Sequence, residues 1–219
     1  PKMATGEVVG AIAMTEPGTG SDLQALRTTA VEDGDDYIIN GSKIFITNGY
    51  LCDMAVVAVK TGKGESEAQN VSLVIIEASR AGFTKGKPLK KVGLHGQDTC
   101  ELFFDNVRIP KSNLLRMEGM GFIMLMKELA WERMMIGIIC AAGAEFALAS
   151  TVEYVKQRKA FGKPVSAFQN TRFKLAEMRA EVQIARTFVD QCMQLVLKNE
   201  LSIEAACTAK YWVSDLACK

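Results

Sequence analysis

The segment VVGAIAMTEPGTGSD, residues Val8–Asp22, decides the fold because it joins an apolar run to a loop that contains glycine. The run Val8–Met14 is typical of a buried β-strand. In the loop that follows, Gly18 and Gly20 carry no Cβ, so backbone N–H groups there can approach a large planar or anionic ligand. Taken alone, the segment is more typical of a tight turn on an ordinary sheet.

A second segment, KIFITNG at Lys43–Gly49, has the same character. Side chains alternate between the two faces of a strand, so Phe45 and Thr47 are predicted to share one face. The two segments together predict two strand ends that flank one cofactor.

The first half of the chain, from residue 6 to about 110, is predicted to consist of β-strands. Asn40-Gly41 stands between two β-rich runs, which predicts a hairpin turn. Further short apolar runs occur at Met54–Val59, Val71–Glu77 and Leu102–Ile109. No helical pattern separates them, which favours a sandwich or a barrel over a Rossmann unit.

The second half changes to a helical period. The pattern predicts one long helix from Gly119 to about Lys159 and a second from Phe168 to about Asn199. A third is expected after Ser202, a good N-cap residue. We therefore expect a multi-domain α and β protein, with a β domain over residues 1–115 and an incomplete helical bundle over residues 116–219.

The composition excludes some classes of function. The 26 basic and 25 acidic residues are intermixed, and the sequence contains no basic block, so nucleic-acid binding is not predicted. The longest uncharged apolar run, Met134–Ala144, is too short to span a bilayer, so no transmembrane segment is expected. The six cysteines show no CxxC spacing, which indicates free thiols in a reducing, intracellular compartment. His95 has no plausible metal partners, so no metal site is predicted.

Glu132 is the candidate catalytic residue on the first helix. It shares a helical face with five apolar residues, at offsets of three, four and seven. Burial on such a face would disfavour the charged carboxylate, and Glu128 would add a like charge, as suits a general base. A buried structural ion pair is the alternative. The five apolar residues are Leu125, Leu129, Met135, Ile136 and Ile139.

These segments resemble the acyl-CoA dehydrogenase family over essentially the whole chain. The two strand-end segments are similar to its flavin-binding segments. Three further segments are similar to the family in the family's order: Glu128–Arg133, Lys156–Lys163 and Phe168–Gln169. The long-chain subgroup is the most similar. The chain begins at Pro1 and stops within a helical pattern, so we interpret it as part of a longer protein, a middle β domain plus early C-terminal helices.

The resemblance implies FAD-dependent α,β-dehydrogenation of a long-chain acyl-CoA to trans-2-enoyl-CoA in fatty-acid β-oxidation. Glu132 would abstract the α-proton while hydride passes to N5 of the flavin, on the face opposite the base. Electrons would continue to an electron-transferring flavoprotein. The alternatives are an acyl-CoA oxidase and a non-catalytic binding protein that keeps the fold.

The resemblance also implies the residues of the site. The cofactor contacts would be Ile12, Met14, Thr15, Gly20, Ser21, Phe45, Ile46, Thr47, Arg158, Phe161 and Gln169. The substrate contacts would be Ser21, Ala68, Gln69, Ile123, Ala130, Trp131 and Arg133.

Arg158 has two interpretations. A planar guanidinium suits a pyrophosphate, but the run Lys156–Lys163 is equally typical of a solvated charged surface. In the resembling family, Arg158 and Gln169 would reach FAD of a neighbouring subunit, which implies a homo-oligomer, expected to be a tetramer. The bulky Trp131 beside Glu132 leaves the depth of the acyl pocket open. The implied location is the cytoplasm of a bacterium or the mitochondrial matrix of a eukaryote.

Overall fold

The chain forms two compact units in a computed structural model that describes residues 2–62 and 64–219. The first unit ends at Leu125, and the second runs from Met126 to Lys219. The first unit contains a β-sheet, and the second contains helices with one small hairpin. The predicted fold class, β structure followed by a helical domain, is confirmed.

The first unit is built on one curled sheet in the form of a half-barrel. Its strands are β1 (Gly10–Ala13), β2 (Thr29–Asp33), β3 (Asp36–Thr47), β4 (Met54–Lys60), β5 (Val71–Glu77), β6 (Phe83–Lys85) and β7 (Thr99–Pro110). The order across the sheet is β1-β4-β2-β3-β7-β6, and β5 pairs antiparallel with β4 along its whole length. β1 runs parallel to β4, whereas β3 is antiparallel to both β2 and β7. Although β4 and β2 stand between β1 and β3 in this order, the chain just after β1 contacts β3 directly, through a hydrogen bond from the Ile44 N–H to the Thr15 carbonyl.

Alternating apolar side chains close the inner face of this sheet. Tyr37 and Ile39 on β3 are buried, as are Val107 and Ile109 on β7. Each fully buried aliphatic side chain contributes roughly 1.5–3 kcal/mol to the free energy of unfolding. The core therefore fixes the pairing of β3 with β7 around these four residues.

The hairpin predicted at Asn40-Gly41 is wrong, because both residues lie inside β3. Gly41 has a φ of +149°, and a Cβ there would stand 2.5 Å from Oγ1 of Thr28, so close packing explains this glycine. The Asn40 side chain accepts a hydrogen bond from the backbone N–H of Asn106 at 2.8 Å. The chain reverses instead at a two-residue loop that starts with Gly34, between β2 and β3.

The second unit is made of three helices in the described residues, and their predicted bounds agree with the structure to within two residues. The helices are α1 (Gly121–Gln157, whose first turn belongs to the first unit), α2 (Gln169–Leu197) and α3 (Ile203–Ala217). In the part of α1 that belongs to the second unit, the buried side chains recur every seven residues, at Met134, Ala141, Leu148 and Val155. A stripe of this spacing lies on one side of a helix and packs against its neighbours.

The start of α3 follows the sequence prediction. The Ser202 side chain accepts a hydrogen bond from the backbone N–H of Ala205 at 3.1 Å, which satisfies one of the free N–H groups of the first turn. Glu204 lies in the same turn, where its charge complements the helix dipole. The predicted N-cap is confirmed.

By length and composition alone, α1 is apolar enough to cross a membrane. The eleven-residue criterion applied to the sequence underestimated this helix, because Glu145 is the only charge between residues 134 and 152. Core helices of water-soluble proteins pass the same test.

Candidate functional site

The structure joins the two segments singled out in the sequence. Three consecutive residues after β1 are each bonded to β3. The Lys43 ammonium donates to the Met14 carbonyl at 3.1 Å and to the Glu16 carboxylate at 2.8 Å. The backbone N–H of Ile44 donates to the Thr15 carbonyl at 2.9 Å. We call this set of contacts, made by Met14, Thr15, Glu16, Lys43 and Ile44, the strand junction.

A β-bulge in β3 determines which side chains next to the strand junction are exposed. The pairing of β3 with β7 shifts register between Lys43 and Ile46, and Phe45 has a φ of +59° in the left-handed region. As a result Phe45 is 64% exposed although Lys43, two residues earlier, is buried. Thr47 is also exposed, which agrees with the prediction that it shares a face with Phe45.

One residue of the predicted cofactor set has a different environment. The Ile46 side chain is buried in the core of the sheet, so any contact it makes with a ligand comes from its backbone. The first predicted strand is also less buried than expected, since Ile12 is 40% exposed. Ile12 and Phe45 are therefore two exposed apolar side chains, one on each of the two joined segments.

The loop after β1 is compact but open on one side. Glu16 and Thr19 exchange two backbone hydrogen bonds, of 2.9 and 3.0 Å, which close a tight turn. A Cβ added at Gly18 or Gly20 would have no heavy atom within 4 Å, and Ser21 is exposed. Free space beside backbone N–H groups and next to exposed apolar side chains fits a planar cofactor with phosphates, such as FAD.

The most buried charges of the first unit were not predicted from the sequence. Glu16 accepts hydrogen bonds from the N–H and hydroxyl of Thr28 at 2.9 and 2.7 Å, and from the N–H of Arg27 at 2.6 Å. Lys43 has no exposed surface. The period-2 pattern of Tyr37 and Ile39, continued along β3, places Lys43 on the buried face, and this was the signal that could have found the pair.

Desolvation raises the pKa of Glu16, but hydrogen bonds from Lys43 and Thr28 outweigh it and hold the pKa below its ordinary value. Burial likewise lowers the pKa of Lys43, and the adjacent Glu16 carboxylate opposes that shift. The charged Glu16 is thus the form that the folded protein prefers.

This preference predicts sensitivity to acid. A carboxyl whose pKa is lower in the folded state stabilises the fold above its unfolded pKa of about 4.5, and the gain is lost as the pH falls through the folded value. We expect the free energy of unfolding to decrease below pH 4.5, measured by urea titration at several pH values. The E16Q/K43M variant should show a flatter profile in that range, and an equally steep profile would contradict the assignment.

Glu132 lies on α1 in the second unit, but its predicted burial is wrong for this chain. The carboxylate is exposed, and so are Met135, Ile136 and Ile139 on the same helical face. The apolar stripe is present but only partly covered, since Leu125 is buried and Leu129 is half-buried, whereas the three stripe residues after Glu132 are exposed. Next to Glu132, Trp131 is 41% exposed, whereas Ala130 and Arg133 are half-buried.

The predicted cofactor residues of the second unit lie around a small hairpin. Its strands are β8 (Lys159–Ala160) and β9 (Lys163–Pro164). Phe161 and Gly162 at its tip both have positive φ, as a type I′ turn requires. Phe161 is 96% exposed and meets Phe168 edge to face at 6.2 Å between ring centroids. Arg158 and Gln169, at the two ends of this connection, are exposed as well.

The remaining predicted substrate contacts of the first unit lie near an open pocket of about 330 Å³. Gln69 lines it together with Glu118 and Gly119. Ala68, beside Gln69, is half-buried, and Ile123 in the first turn of α1 is 56% exposed. Gly119 has a φ of +77°, and a Cβ there would lie 2.5 Å from the Gln69 carbonyl oxygen. Only glycine allows this close approach.

The described residues include no group of three or more His, Cys, Asp or Glu side chains that could hold a metal ion. All six cysteines are free. Burial raises the pKa of the Cys100 thiol to about 11, so this thiol is protonated and unreactive at neutral pH. His95 is exposed, with Nε2 2.9 Å from the Lys91 carbonyl oxygen.

The fold agrees with comparisons against known proteins. Residues 11–107 match the family "Acyl-CoA dehydrogenase, middle domain", and residues 119–219 match "Acyl-CoA dehydrogenase, C-terminal domain". The chain belongs to the acyl-CoA dehydrogenase family, whose members are FAD-dependent enzymes that act on CH–CH bonds.

Individual relatives show how similar the chain is to known members of the family. The chain is 51% identical to the mitochondrial long-chain specific acyl-CoA dehydrogenase of Sus scrofa, over 99% of this chain and 50% of that protein. An acyl-CoA dehydrogenase structure from Geobacillus kaustophilus has 48% identity and a TM-score of 0.96, covering 99% of this chain and 57% of the other. A glutaryl-CoA dehydrogenase from Mycobacterium smegmatis, solved with FADH2, has 30% identity and a TM-score of 0.90, over 99% and 54%. The chain thus spans about half the length of the relatives it matches.

Proposed function

We propose that this chain is the middle domain and the first C-terminal helices of an FAD-dependent acyl-CoA dehydrogenase that acts on long-chain acyl-CoA. The observation that carries the proposal is the strand junction, which joins two segments with exposed Ile12 and Phe45 in a chain that matches both family domains. The 51% identity to a long-chain specific enzyme supports the substrate class. A glutaryl-CoA relative at 30% identity means that the acyl group varies within the family, so the chain length needs its own test.

In this proposal the residues of the first unit hold the cofactor. The exposed side chains of Ile12, Phe45 and Thr47 contact the flavin ring, and the loop at Gly20 and Ser21 binds its phosphates. Met14, Thr15 and Ile46 contribute backbone and neighbouring contacts. When bound, FAD supplies the acceptor for a hydride from the β-carbon of the substrate.

Glu132 is the base that removes the α-proton. A carboxylate held on a rigid helix can take a proton from a carbon acid when the substrate is fixed next to it. Trp131, Ala130 and Arg133 flank this position and would contact the acyl-CoA, together with Ile123 and the Ala68–Gln69 segment. None of these side chains needs a metal ion for the proton transfer.

Arg158, Phe161 and Gln169 would contact FAD that is bound mainly by a neighbouring subunit. Their exposure leaves them available to a second molecule, and a guanidinium matches a pyrophosphate in shape and charge. The protein would therefore be a homo-oligomer, expected to be a tetramer, that passes electrons to an electron-transferring flavoprotein. The location would be intracellular, in a bacterial cytoplasm or a mitochondrial matrix, with α1 as a bundle helix and not a membrane span.

The visible spectrum of the natural protein that carries this chain tests the proposed function. We expect an oxidised flavin spectrum that bleaches when palmitoyl-CoA is added without oxygen, and less bleaching with butyryl-CoA at equal concentration. Rapid recolouring in air would identify an acyl-CoA oxidase instead. A colourless protein that takes up no FAD would contradict the proposal and favour a non-catalytic binding protein.

A further inference from the structure

We propose that Lys43 is a positioning residue for the flavin, which it fixes through Glu16 and the Met14 carbonyl without touching the cofactor. This inference rests on the proposed function and assigns a role to a pair of buried charges that the dehydrogenation itself does not use. The loop that follows β1 would be held against β3 by Lys43 before FAD binds. The cofactor would then meet a site whose two halves already have their bound spacing.

The contacts of Lys43 support this role. Its ammonium donates to the Glu16 carboxylate at 2.8 Å and to the Met14 carbonyl at 3.1 Å, and both acceptors belong to the loop. Lys43 itself is in β3, two residues before Phe45 and four before Thr47. One buried cation therefore links both segments that are proposed to hold the ring.

The partners of Glu16 extend the link to the far end of the loop. Its two carboxylate oxygens accept from the N–H groups of Arg27 and Thr28 and from the Thr28 hydroxyl. The loop is thus fixed at its start by Met14 and at its end by Thr28, with Gly20 and Ser21 between them. Fixing both ends limits how far the segment that would bind phosphate can move.

Stability alone does not explain a charged pair at this place. A buried ion pair costs several kcal/mol per ion in desolvation, and apolar residues of similar volume often stabilise a protein as well or better. An apolar pair could not hold the Met14 carbonyl or the N–H groups of Arg27 and Thr28. What the charges add is a fixed geometry of the backbone on both sides of the proposed site.

The test compares FAD binding with stability in the natural protein that carries this chain. K43M alone would leave Glu16 buried without its cation, so the double variant E16Q/K43M is the main test because it removes both charges. Three quantities are measured: the thermal midpoint of the apoprotein, the Kd for FAD by titration of the apoprotein, and the visible circular dichroism of the bound flavin. The matched control is E77Q/R80M, which removes another ion pair of the first unit, between Glu77 and Arg80.

The double variant should still unfold cooperatively, but at a lower thermal midpoint, because the Met14 carbonyl loses its donor. At temperatures where the variant is folded, it should bind FAD about 10- to 100-fold more weakly than the wild type and show an altered flavin dichroism. That factor is expected when one charged hydrogen bond that orders a site is lost. The control should change neither the Kd nor the dichroism. A double variant with wild-type Kd and dichroism would overturn the inference alone, whereas a wild-type protein that binds no FAD would overturn the proposed function together with it.

A milder variant keeps the test decisive if the double variant does not fold. T28V removes the hydroxyl that donates to Glu16 at 2.7 Å and keeps the shape of the side chain. It should raise the Kd for FAD by about fivefold and shift the flavin dichroism in the same sense. Unchanged values in T28V would contradict the positioning role.

Discussion

Replacement of Glu132 by Gln is expected to lower turnover by roughly three orders of magnitude while flavin content and acyl-CoA binding stay near normal. Gln has the shape of Glu but cannot accept the α-proton. In the part of the chain that the structure describes, no hydrogen bond or ion pair holds the Glu132 side chain, so its removal leaves no partner unsatisfied. The loss should therefore appear in the chemical step and not in stability.

Anaerobic stopped-flow measurement of flavin bleaching by palmitoyl-CoA separates these quantities. Glu128, one turn earlier on the same helix and equally exposed, provides the control, and Glu128→Gln should change the bleaching rate by less than about tenfold. Near-normal bleaching in Glu132→Gln would show that another residue is the base. A large loss in both variants would indicate a general charge effect of this helix face.

The parts of the fold that follow a regular period were predictable from the sequence. The three helices and the strands β1, β4 and β5 lie within two residues of their expected bounds, because long or strongly apolar segments leave few alternatives. The short strands β2 and β6 were not predicted, and β7 begins three residues earlier than expected. The hairpin prediction at Asn40-Gly41 was wrong because this pair is typical of a hairpin turn, whereas here Gly41 is needed for its close packing against Thr28. The packing of Gly41 against Thr28 outweighs the local preference for a turn, and a short segment of sequence does not show such a tertiary contact.

The candidate site was predictable in its residues and less so in its construction. The motif segments around Thr15 and Phe45 were found, but the buried Glu16–Lys43 pair that joins them was not. A lysine in a strand is usually a solvated residue, so the period-2 pattern that places Lys43 on the buried face does not reveal its partner Glu16, which lies in the loop after β1. The register shift that exposes Phe45 depends on the partner strand β7, and the sequence of β3 alone does not contain it.

The prediction that Glu132 is buried was wrong for a different reason. Helical spacing correctly placed the carboxylate on an apolar face, but an apolar face is buried only where another element packs on it. The chain spans about half the length of its relatives, and the described residues leave this face open. The same observation bears on how the 219-residue chain behaves by itself.

Expressed alone, residues 1–219 are expected to self-associate and to show no dehydrogenase turnover. Large apolar side chains are exposed on all three helices, and single soluble proteins rarely expose large apolar surfaces. The exposed set includes Ile139, Phe146, Phe173, Ile184 and Tyr211. Burying such surface between chains is favourable by about 25 cal/mol per Å² of apolar area, so association should persist at micromolar concentration.

Light scattering coupled to size-exclusion chromatography measures this association directly. The double variant F146E/F173E should shift the chain towards smaller species, because each charge would be costly to bury at an interface. The control E153Q/K156Q changes two exposed polar residues of α1 and should leave the mass distribution unchanged. A monodisperse monomer with one FAD per chain would contradict the prediction. It would mean that the exposed apolar helix faces do not drive association and that the 219 residues contain a complete cofactor site.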